Sequence, residues 1–173
     1  PLRIRGNFIS NADRLSVDGL NAEIDGGTLE GRIALNYPSS PGGSRIEAEL
    51  RADRLDLDAA TALVRSLSGP QAEWPEAGKL SLDVGRAVSA GQEMRPFAAQ
   101  LAYTPKTITL DRFKVGEATG LTLDGSGSFD RREATGQLAL NANAPSLAQI
   151  GKLVASFAPA ASKRFDALPA APG

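Results

Sequence analysis

Carboxylates and serines are the residues of this chain whose types and spacing suggest chemistry. Asp53, Asp56 and Asp58 lie close together in the sequence, and carboxylate oxygens are ligands that Ca²⁺ prefers. Their spacing lacks the glycine and the terminal bidentate glutamate of a calcium-binding loop. Asp58 also stands at the start of a helical pattern, where an acidic N-cap satisfies free backbone N–H groups. We therefore expect structural roles for these acids, and no metal site.

Two serines, Ser126 and Ser128, lie in a glycine-containing segment and raise the question of nucleophilic catalysis. The Gly-x-Ser-x-Gly pattern of a nucleophile elbow is not matched, and the chain contains no histidine to accept the hydroxyl proton. Nothing in the sequence positions Lys106 or Lys114 as a base in its place. The segment around Gly127 also lacks the lysine and the following helix of a phosphate-binding loop. We expect these serines to face solvent on a strand.

The remaining carboxylates are scattered along the chain. Glu117, Asp124 and Asp130 form no pair of the kind that a glycosidase needs. The chain has no cysteine and no histidine, so it lacks the commonest general base and the usual transition-metal ligands. The sequence therefore predicts a protein that is not an enzyme and that has no catalytic residues, no metal and no cofactor.

The overall composition is that of a folded globular domain. Of 173 residues, 42% are hydrophobic, and the formal net charge is −1 with both signs interspersed. No basic stripe is available to neutralise a run of phosphates, so we expect no nucleic-acid partner. No apolar run is long enough to span a bilayer. Because the first residue is Pro1, we expect a piece of a larger protein whose targeting or anchoring segments lie outside this chain.

Alternation of apolar and polar residues runs through most of the chain and predicts antiparallel β-strands with one dry and one wet face. After Gly19 the alternation changes parity, and Asp25-Gly26-Gly27 is a hairpin turn signal. Glycines inside strand patterns, such as Gly31, indicate bulges or curvature. The period becomes helical at two places, 58–67 and 145–157.

The two helical segments belong to a longer internal repeat. Residues 50–67 and 140–157 share identical residues at a constant offset of 90. Earlier in the chain the offset is slightly larger, so that Val17 corresponds to Leu110 at an offset of 93. Similarity at a nearly fixed period indicates one structural unit used twice.

The predicted fold is mainly β: a long curved antiparallel meander built from two similar units, each ending in a short α-helix. The predicted parts are a first β-unit at 1–68, a joint with proline and glycine at 69–78, a second β-unit at 79–157 and an Ala/Pro-rich flexible tail at 158–173. Such a meander must cover its apolar face. It can close on itself, place its helices across the opening, or keep a groove for an apolar ligand.

The order of these segments resembles the AsmA family of bacterial envelope proteins. The resemblance covers most of the chain and is carried by residues 18–33, 50–67, 109–129 and 138–157. In them, strands such as Leu-Glu-Gly-Arg-Ile and Leu-Asp-Gly-Ser-Gly recur, and Leu-Asp-Leu-Asp leads into a short helix. The resemblance implies a large protein of the Gram-negative envelope, with an N-terminal inner-membrane anchor outside this chain and a periplasmic body of repeated β-units. AsmA-like and TamB-like proteins are thought to conduct phospholipid along the apolar face of a curved sheet.

The resemblance thus implies a periplasmic location, a role in outer-membrane biogenesis or assembly, and phospholipid and neighbouring repeats of the same chain as partners. The residues expected to line a lipid groove are Ile33, Leu35, Ile46, Leu50, Leu101, Leu110, Leu123 and Leu140. The plain alternative is that the same residues form a closed core. The alternative function is a structural or protein-interaction scaffold that binds no lipid and pairs through its sheet edges, with residues 2–8 as an exposed terminal strand.

Overall fold

The structure of the protein is a computed structural model that describes residues 3–24, 26–37, 43–68, 75–117 and 120–145. The side chains of residues 63–68 are not included in this description. The predicted second helix, beyond residue 145, and the predicted tail at 158–173 lie outside the described residues. The prediction of a mainly β protein is confirmed.

Ten strands and one helix make up the described part of the chain. In chain order these elements are β1 (Arg3–Ser10), β2 (Arg14–Ile24), β3 (Gly27–Asn36), β4 (Arg45–Asp56), α1 (Leu57–Ser68), β5 (Ala77–Ser89), β6 (Gln92–Met94), β7 (Phe97–Tyr103), β8 (Thr107–Gly116), β9 (Thr122–Asp130) and β10 (Thr135–Asn143). The predicted hairpin turn between β2 and β3 is present, and Gly26 adopts a positive φ of 80° in it.

The strands form one sheet in the order β1-β2-β3-β4-β5-β7-β8-β9-β10, and the short β6 pairs with β5. All neighbours are antiparallel except β4 and β5, which are parallel. The predicted antiparallel meander is therefore interrupted once. The physical reason is the connection that contains α1, because it returns the chain to the end of the sheet where β4 begins, and a parallel pair needs such a crossover.

The N-cap of α1 is Asp56, and the expectation that Asp58 caps the helix is wrong. The Oδ1 of Asp56 accepts hydrogen bonds from the backbone N–H groups of Asp58 at 3.0 Å and Ala59 at 2.9 Å. These are the second and third residues of the helix, whose N–H groups have no intrahelical partner. Asp58 lies within the first turn, where a negative charge interacts favourably with the helix dipole.

Bulges in β2 and β8 keep the apolar residues of these strands on one face. In β2 the register shifts between Val17 and Leu20, and Gly19 adopts a positive φ of 61° there. In β8 it shifts between Leu110 and Phe113. A bulge adds a residue and so changes the parity of the alternation, as the sequence predicts after Gly19. Val17 and Leu110, which the sequence repeat aligns, both directly precede a bulge.

The sheet continues across the predicted joint at 69–78. β5 begins at Ala77, so the last two residues of the joint already belong to a strand that pairs along β4. The division into two similar units at 1–68 and 79–157 stays a prediction.

The core lies at the end of the sheet where β4 ends, under α1. Its buried residues are Ala52, Leu55, Val84, Ala87, Met94, Phe97, Val115, Leu121 and Leu123. Leu57 and Ala60 of α1 pack against this cluster. The rings of Phe97 and Phe113 meet edge to face with their centroids 6.0 Å apart. Since each large apolar side chain stabilises the fold by about 1.5–3 kcal/mol on burial, this cluster holds α1 against the sheet.

Gly31 is the position in β3 where a side chain is expected to be least tolerated. Its φ is 149°, and a Cβ there would overlap the carbonyl oxygen of Glu49 on β4. Both backbone strain and overpacking oppose a larger residue, so Gly31→Ala should destabilise the fold by about 3 kcal/mol or more. Urea denaturation followed by circular dichroism measures this loss.

The matched control is Gly91→Ala. Gly91 also has a positive φ, 77°, but a Cβ there would meet no atom within 4 Å. Only the strain of the left-handed conformation remains, about 1–2 kcal/mol. Equal losses for the two variants would contradict the close approach of β3 and β4 at Gly31.

Candidate functional site: the apolar face of the sheet

The strand register places most of the large apolar residues of the sheet on one face, here called the apolar face. Residues directly opposite one another on neighbouring strands share a face, and their succession defines four rows across the sheet. Row A is Ile4, Ala22, Leu29, Ala52, Val84, Phe97, Val115, Leu123 and Ala142. Row B is Leu20, Gly31, Leu50, Leu82, Ala99, Phe113, Gly125 and Leu140. Row C is Phe8, Val17, Ile33, Ala48, Leu80, Leu101, Leu110, Gly127 and Leu138. Row D is Ser10, Leu15, Leu35, Ile46, Gly78, Tyr103, Ile108, Phe129 and Gly136.

Row A is closed over most of its length. Its central members, from Ala52 on β4 to Leu123 on β9, belong to the buried core. Side chains of α1 pack against that core, so this end of the apolar face is removed from water. Row A therefore supplies stability and offers little surface to a ligand.

Rows B, C and D, here called the open rows, are only partly buried. The described residues include no second helix and no second sheet that covers them. Leu80 is 38% exposed, Phe129 is 42% exposed and Leu138 is 60% exposed. Of the eight large hydrophobic residues exposed in the described part of the chain, six lie on the apolar face: Ile4, Phe8, Leu80, Phe129, Leu138 and Leu140. A contiguous apolar surface of this kind is typical of a binding site.

All eight residues that the sequence predicts as groove-lining lie on the apolar face. In the open rows are Leu50 and Leu140 of row B, Ile33, Leu101 and Leu110 of row C, and Leu35 and Ile46 of row D. Leu123 differs, because it lies in row A and is only 4% exposed. Leu123 is therefore a core residue, and the plain alternative of a closed core holds for it.

The sequence prediction missed apolar residues that extend the open rows. Leu80 stands opposite Leu101, and Leu138 lies across Gly127 from Leu110. Leu80 and Leu138 each occupy an apolar position in an alternating strand, and this alternation is the sequence feature from which their place on the apolar face could be predicted. The alternation of one strand does not say which strand lies beside it, so the extent of the surface depends on the register.

Glycines on the apolar face have no side chain, and large side chains of neighbouring strands lie over two of them. An added Cβ on Gly78 would come within 2.6 Å of the Tyr103 ring and 2.7 Å of the Ile46 side chain. One on Gly125 would meet the Leu140 side chain at 2.6 Å. Burial raises the pKa of the Tyr103 phenol, so this ring stays neutral at physiological pH.

The opposite face of the sheet is mainly polar and charged, although Ile9, Ala34 and Ala98 also lie on it. Arg32 donates from Nε to Oε2 of Glu49 at 2.9 Å, and Ser81 and Gln100 continue the same register row. A shallow open depression of about 360 Å³ lies over this row. Its further charged border residues are Glu47, Lys79 and Asp111. Charges of both signs that are partly paired with each other are typical of a solvated sheet surface.

The aspartates considered for a cation are each engaged in separate structural hydrogen bonds. Asp56 caps α1, as described above. The carboxylate of Asp53 accepts from the backbone N–H of Thr28 at 2.6 Å, and that of Asp58 accepts from the N–H of Ala90 at 2.6 Å. These hydrogen bonds lower the pKa of both carboxyl groups. Among the described residues, no group of three or more acidic side chains is placed to hold a metal ion.

Most of the other candidate residues for catalysis lie on β9 or on the neighbouring strand β8. Ser126 and Ser128 lie on the polar face of β9. Lys114 stands opposite Asp124 and opposite neither serine. Asp130 accepts backbone hydrogen bonds in the turn between β9 and β10. Asp124 and Ser126 border one shallow open depression of about 400 Å³ together with Asp111 and Arg112, but neither Lys106 nor Lys114 is among its lining residues.

No family model, no curated protein and no solved structure matches this chain. The resemblance to the AsmA family therefore stays a prediction. In the described part of the chain, no helix has the length and apolar character needed to cross a membrane.

Asp58→Asn is expected to lower the stability of the fold at about pH 7. Asp58 accepts hydrogen bonds from Ser89 at 2.9 Å and from Ala90, which tie the first turn of α1 to the turn after β5. Because its folded-state pKa is lowered, its contribution is present above the ordinary aspartate pKa of about 3.9 and is lost as the pH falls through the folded value. Melting temperatures at about pH 7 and pH 2.5 measure the difference. A gap between wild type and variant that stays equally large in acid would contradict a role for the ionised carboxylate.

Proposed function

We propose that this chain is a non-enzymatic module of an AsmA-like protein at the periplasmic face of the bacterial envelope, where it binds phospholipid through the open rows of its apolar face and serves outer-membrane biogenesis or assembly. The observation that supports lipid binding is the continuity of the open rows from β2 to β10, with large apolar side chains left in contact with water. The envelope location rests on the sequence resemblance alone.

The dimensions of the open rows fit acyl chains. Alternate residues of a strand are about 6.8 Å apart, so rows B to D span about 14 Å along the strands. This is close to half of the roughly 30 Å hydrocarbon core of a bilayer, which is the extent of one acyl chain. Across the sheet, strands spaced about 4.8 Å apart make each row more than 30 Å wide. Several chains therefore fit side by side.

The energetics favour a ligand with long hydrocarbon chains and few polar requirements. Each methylene moved from water to an apolar surface gains about 0.8 kcal/mol. A surface without charged groups gives such a gain to any phospholipid, whatever its headgroup. The absence of histidine and cysteine from the whole chain is consistent with a binding role without catalysis.

A second candidate function is the scaffold that pairs through its sheet edges and binds no lipid. The observation that favours it is that β1 and β10 each pair on one side only among the described residues. In this version, partner binding would depend on residues 3–10 and not on the open rows.

Leu80→Asp is expected to reduce phospholipid binding at least about tenfold. Leu80 lies at the centre of row C, and a charge there removes the apolar contact of one leucine, worth about 1.5–3 kcal/mol, and adds a carboxylate that must be desolvated. Transfer of a fluorescent phospholipid from vesicles of phosphatidylethanolamine and phosphatidylglycerol to the purified chain measures the effect. Native mass spectrometry of the same samples identifies the bound lipid.

The matched control is Ser81→Asp, which places the same charge on the neighbouring residue of β5 but on the polar face. It should bind phospholipid like the wild type. Phe129→Asp, at an exposed position in row D, repeats the test if Leu80→Asp lowers the melting temperature. Leu123→Asp should unfold the chain, because Leu123 is buried. If the wild type takes up no phospholipid, or if both faces respond equally to the charge, the proposed function is wrong.

A further inference from the structure

The two edge strands of the sheet have no second neighbour among the described residues. Every residue of β1 and of β10 is exposed. Unpaired edges present backbone N–H and C=O groups that recruit a further strand. Both edges also carry large apolar side chains on the apolar face: Ile4 and Phe8 on β1, and Leu138 and Leu140 on β10.

The pair of β5 and β7 in the interior of the sheet shows which patterns of apolar side chains stand opposite each other in this sheet. On the apolar face, β5 presents Gly78, Leu80, Leu82 and Val84 to Tyr103, Leu101, Ala99 and Phe97 of β7. The pair is antiparallel and lies in the interior of the sheet. The series is glycine, leucine, leucine and valine on β5, and these residues stand opposite tyrosine, leucine, alanine and phenylalanine on β7.

The edge strands repeat these two patterns at the same spacing except at one position, where β1 has Ser10 and β7 has Tyr103. β10 presents Gly136, Leu138, Leu140 and Ala142 on the apolar face, which matches β5. β1 presents Ile4, Gly6 and Phe8, which matches Phe97, Ala99 and Leu101 of β7. Strand directions also agree: β10 runs in the same direction as β5, and β1 in the same direction as β7.

We propose that β10 of one copy of this chain pairs antiparallel with β1 of a second copy, in the register of β5 and β7. The pairs on the apolar face would then be Ala142 with Ile4, Leu140 with Gly6, Leu138 with Phe8 and Gly136 with Ser10. Large side chains meet small ones in two of these pairs, and Leu138 would stand opposite the exposed ring of Phe8 as Leu101 stands opposite Leu80 inside the sheet. Rows A, C and D continue from one copy into the next.

The polar face is compatible with this register. Asn141 comes opposite Arg5, Ala139 opposite Asn7, and no two like charges are opposed. Pairing of β1 with β1 about Arg5 would instead place two guanidinium groups opposite each other. The charges of β1 therefore favour β10 as its partner.

The assembly is head to tail, so each added copy again presents one β1 and one β10. Such a heterologous contact does not close by itself and builds open chains of copies. It extends the apolar face from copy to copy, and it does not depend on whether the open rows bind lipid.

Cysteine crosslinking tests the register directly, because the chain contains no cysteine of its own. Asn7→Cys and Ala139→Cys are prepared as two separate full-chain variants, mixed and oxidised mildly. In the proposed register the two Cα atoms lie about 4.5–5.5 Å apart, within reach of a disulfide. Non-reducing electrophoresis should show a dimer in the mixture and none with either variant alone.

The control mixture combines Asn7→Cys with Asn143→Cys, which is four residues away along β10, about 13 Å from the proposed partner position. It should give no dimer. Equal dimer in the control, dimer from Asn7→Cys alone, or no dimer in the test mixture at the highest soluble concentration would overturn the proposal. Independently, Phe8→Glu should reduce self-association in sedimentation experiments, and mixing it with Leu138→Lys should restore it. Both side chains are exposed, at 67% and 60%, so these changes should leave the fold intact.

Discussion

The register of the strand pairs is the constraint on which the rest of this structure depends. An apolar side chain adds to a continuous apolar surface only if its neighbours on the adjacent strands point to the same face. A slip of the register by one residue would move all apolar side chains of a strand to the other face. Across the sheet this condition is met from β1 to β10. This condition requires the bulges after Val17 and Leu110. Without the added residue, the apolar side chains before the bulge and those after it would lie on opposite faces of the sheet.

The single described helix divides the apolar face into a closed end and an open part. α1 begins at Leu57 because Asp56 caps it, and it packs over the end of the sheet where Leu55, Ala87 and Met94 are buried. The same connection makes β4 and β5 parallel. Stability is thus concentrated in row A and its surroundings, while rows B to D keep apolar side chains accessible. Because of this separation, a charge placed in an open row leaves the buried core in place.

Because the apolar rows run regularly across the sheet, its two edge strands, β1 and β10, carry complementary apolar side chains. Because β10 repeats the apolar pattern of β5, and β1 that of β7, the two edges of one molecule are complementary to each other in the way two interior strands are. Natural sheets commonly protect their edges with charges or short strands. Here β1 carries Arg3 and Arg5, which oppose pairing with a second β1 but not with the uncharged β10.

Much of the architecture followed from the sequence alone, because alternation, parity changes and turn residues are local properties of the chain. They predicted the β class, the parity change after Gly19 and the common face of all eight candidate residues, from Ile33 to Leu140. Tertiary structure decided what depends on neighbours far apart in the sequence. Only the burial of Leu123 within the assembled cluster shows that it is core, and only the pairing of β5 with β7 brings Leu80 beside Leu101. The cap was assigned to Asp58 instead of Asp56, and the bond that Asp58 makes instead, from the N–H of Ala90 thirty-two residues away, is one that no local pattern can specify. Burial and strand adjacency are properties of the assembled sheet, whereas the tendency to form a strand and to present one dry face is already present in each segment.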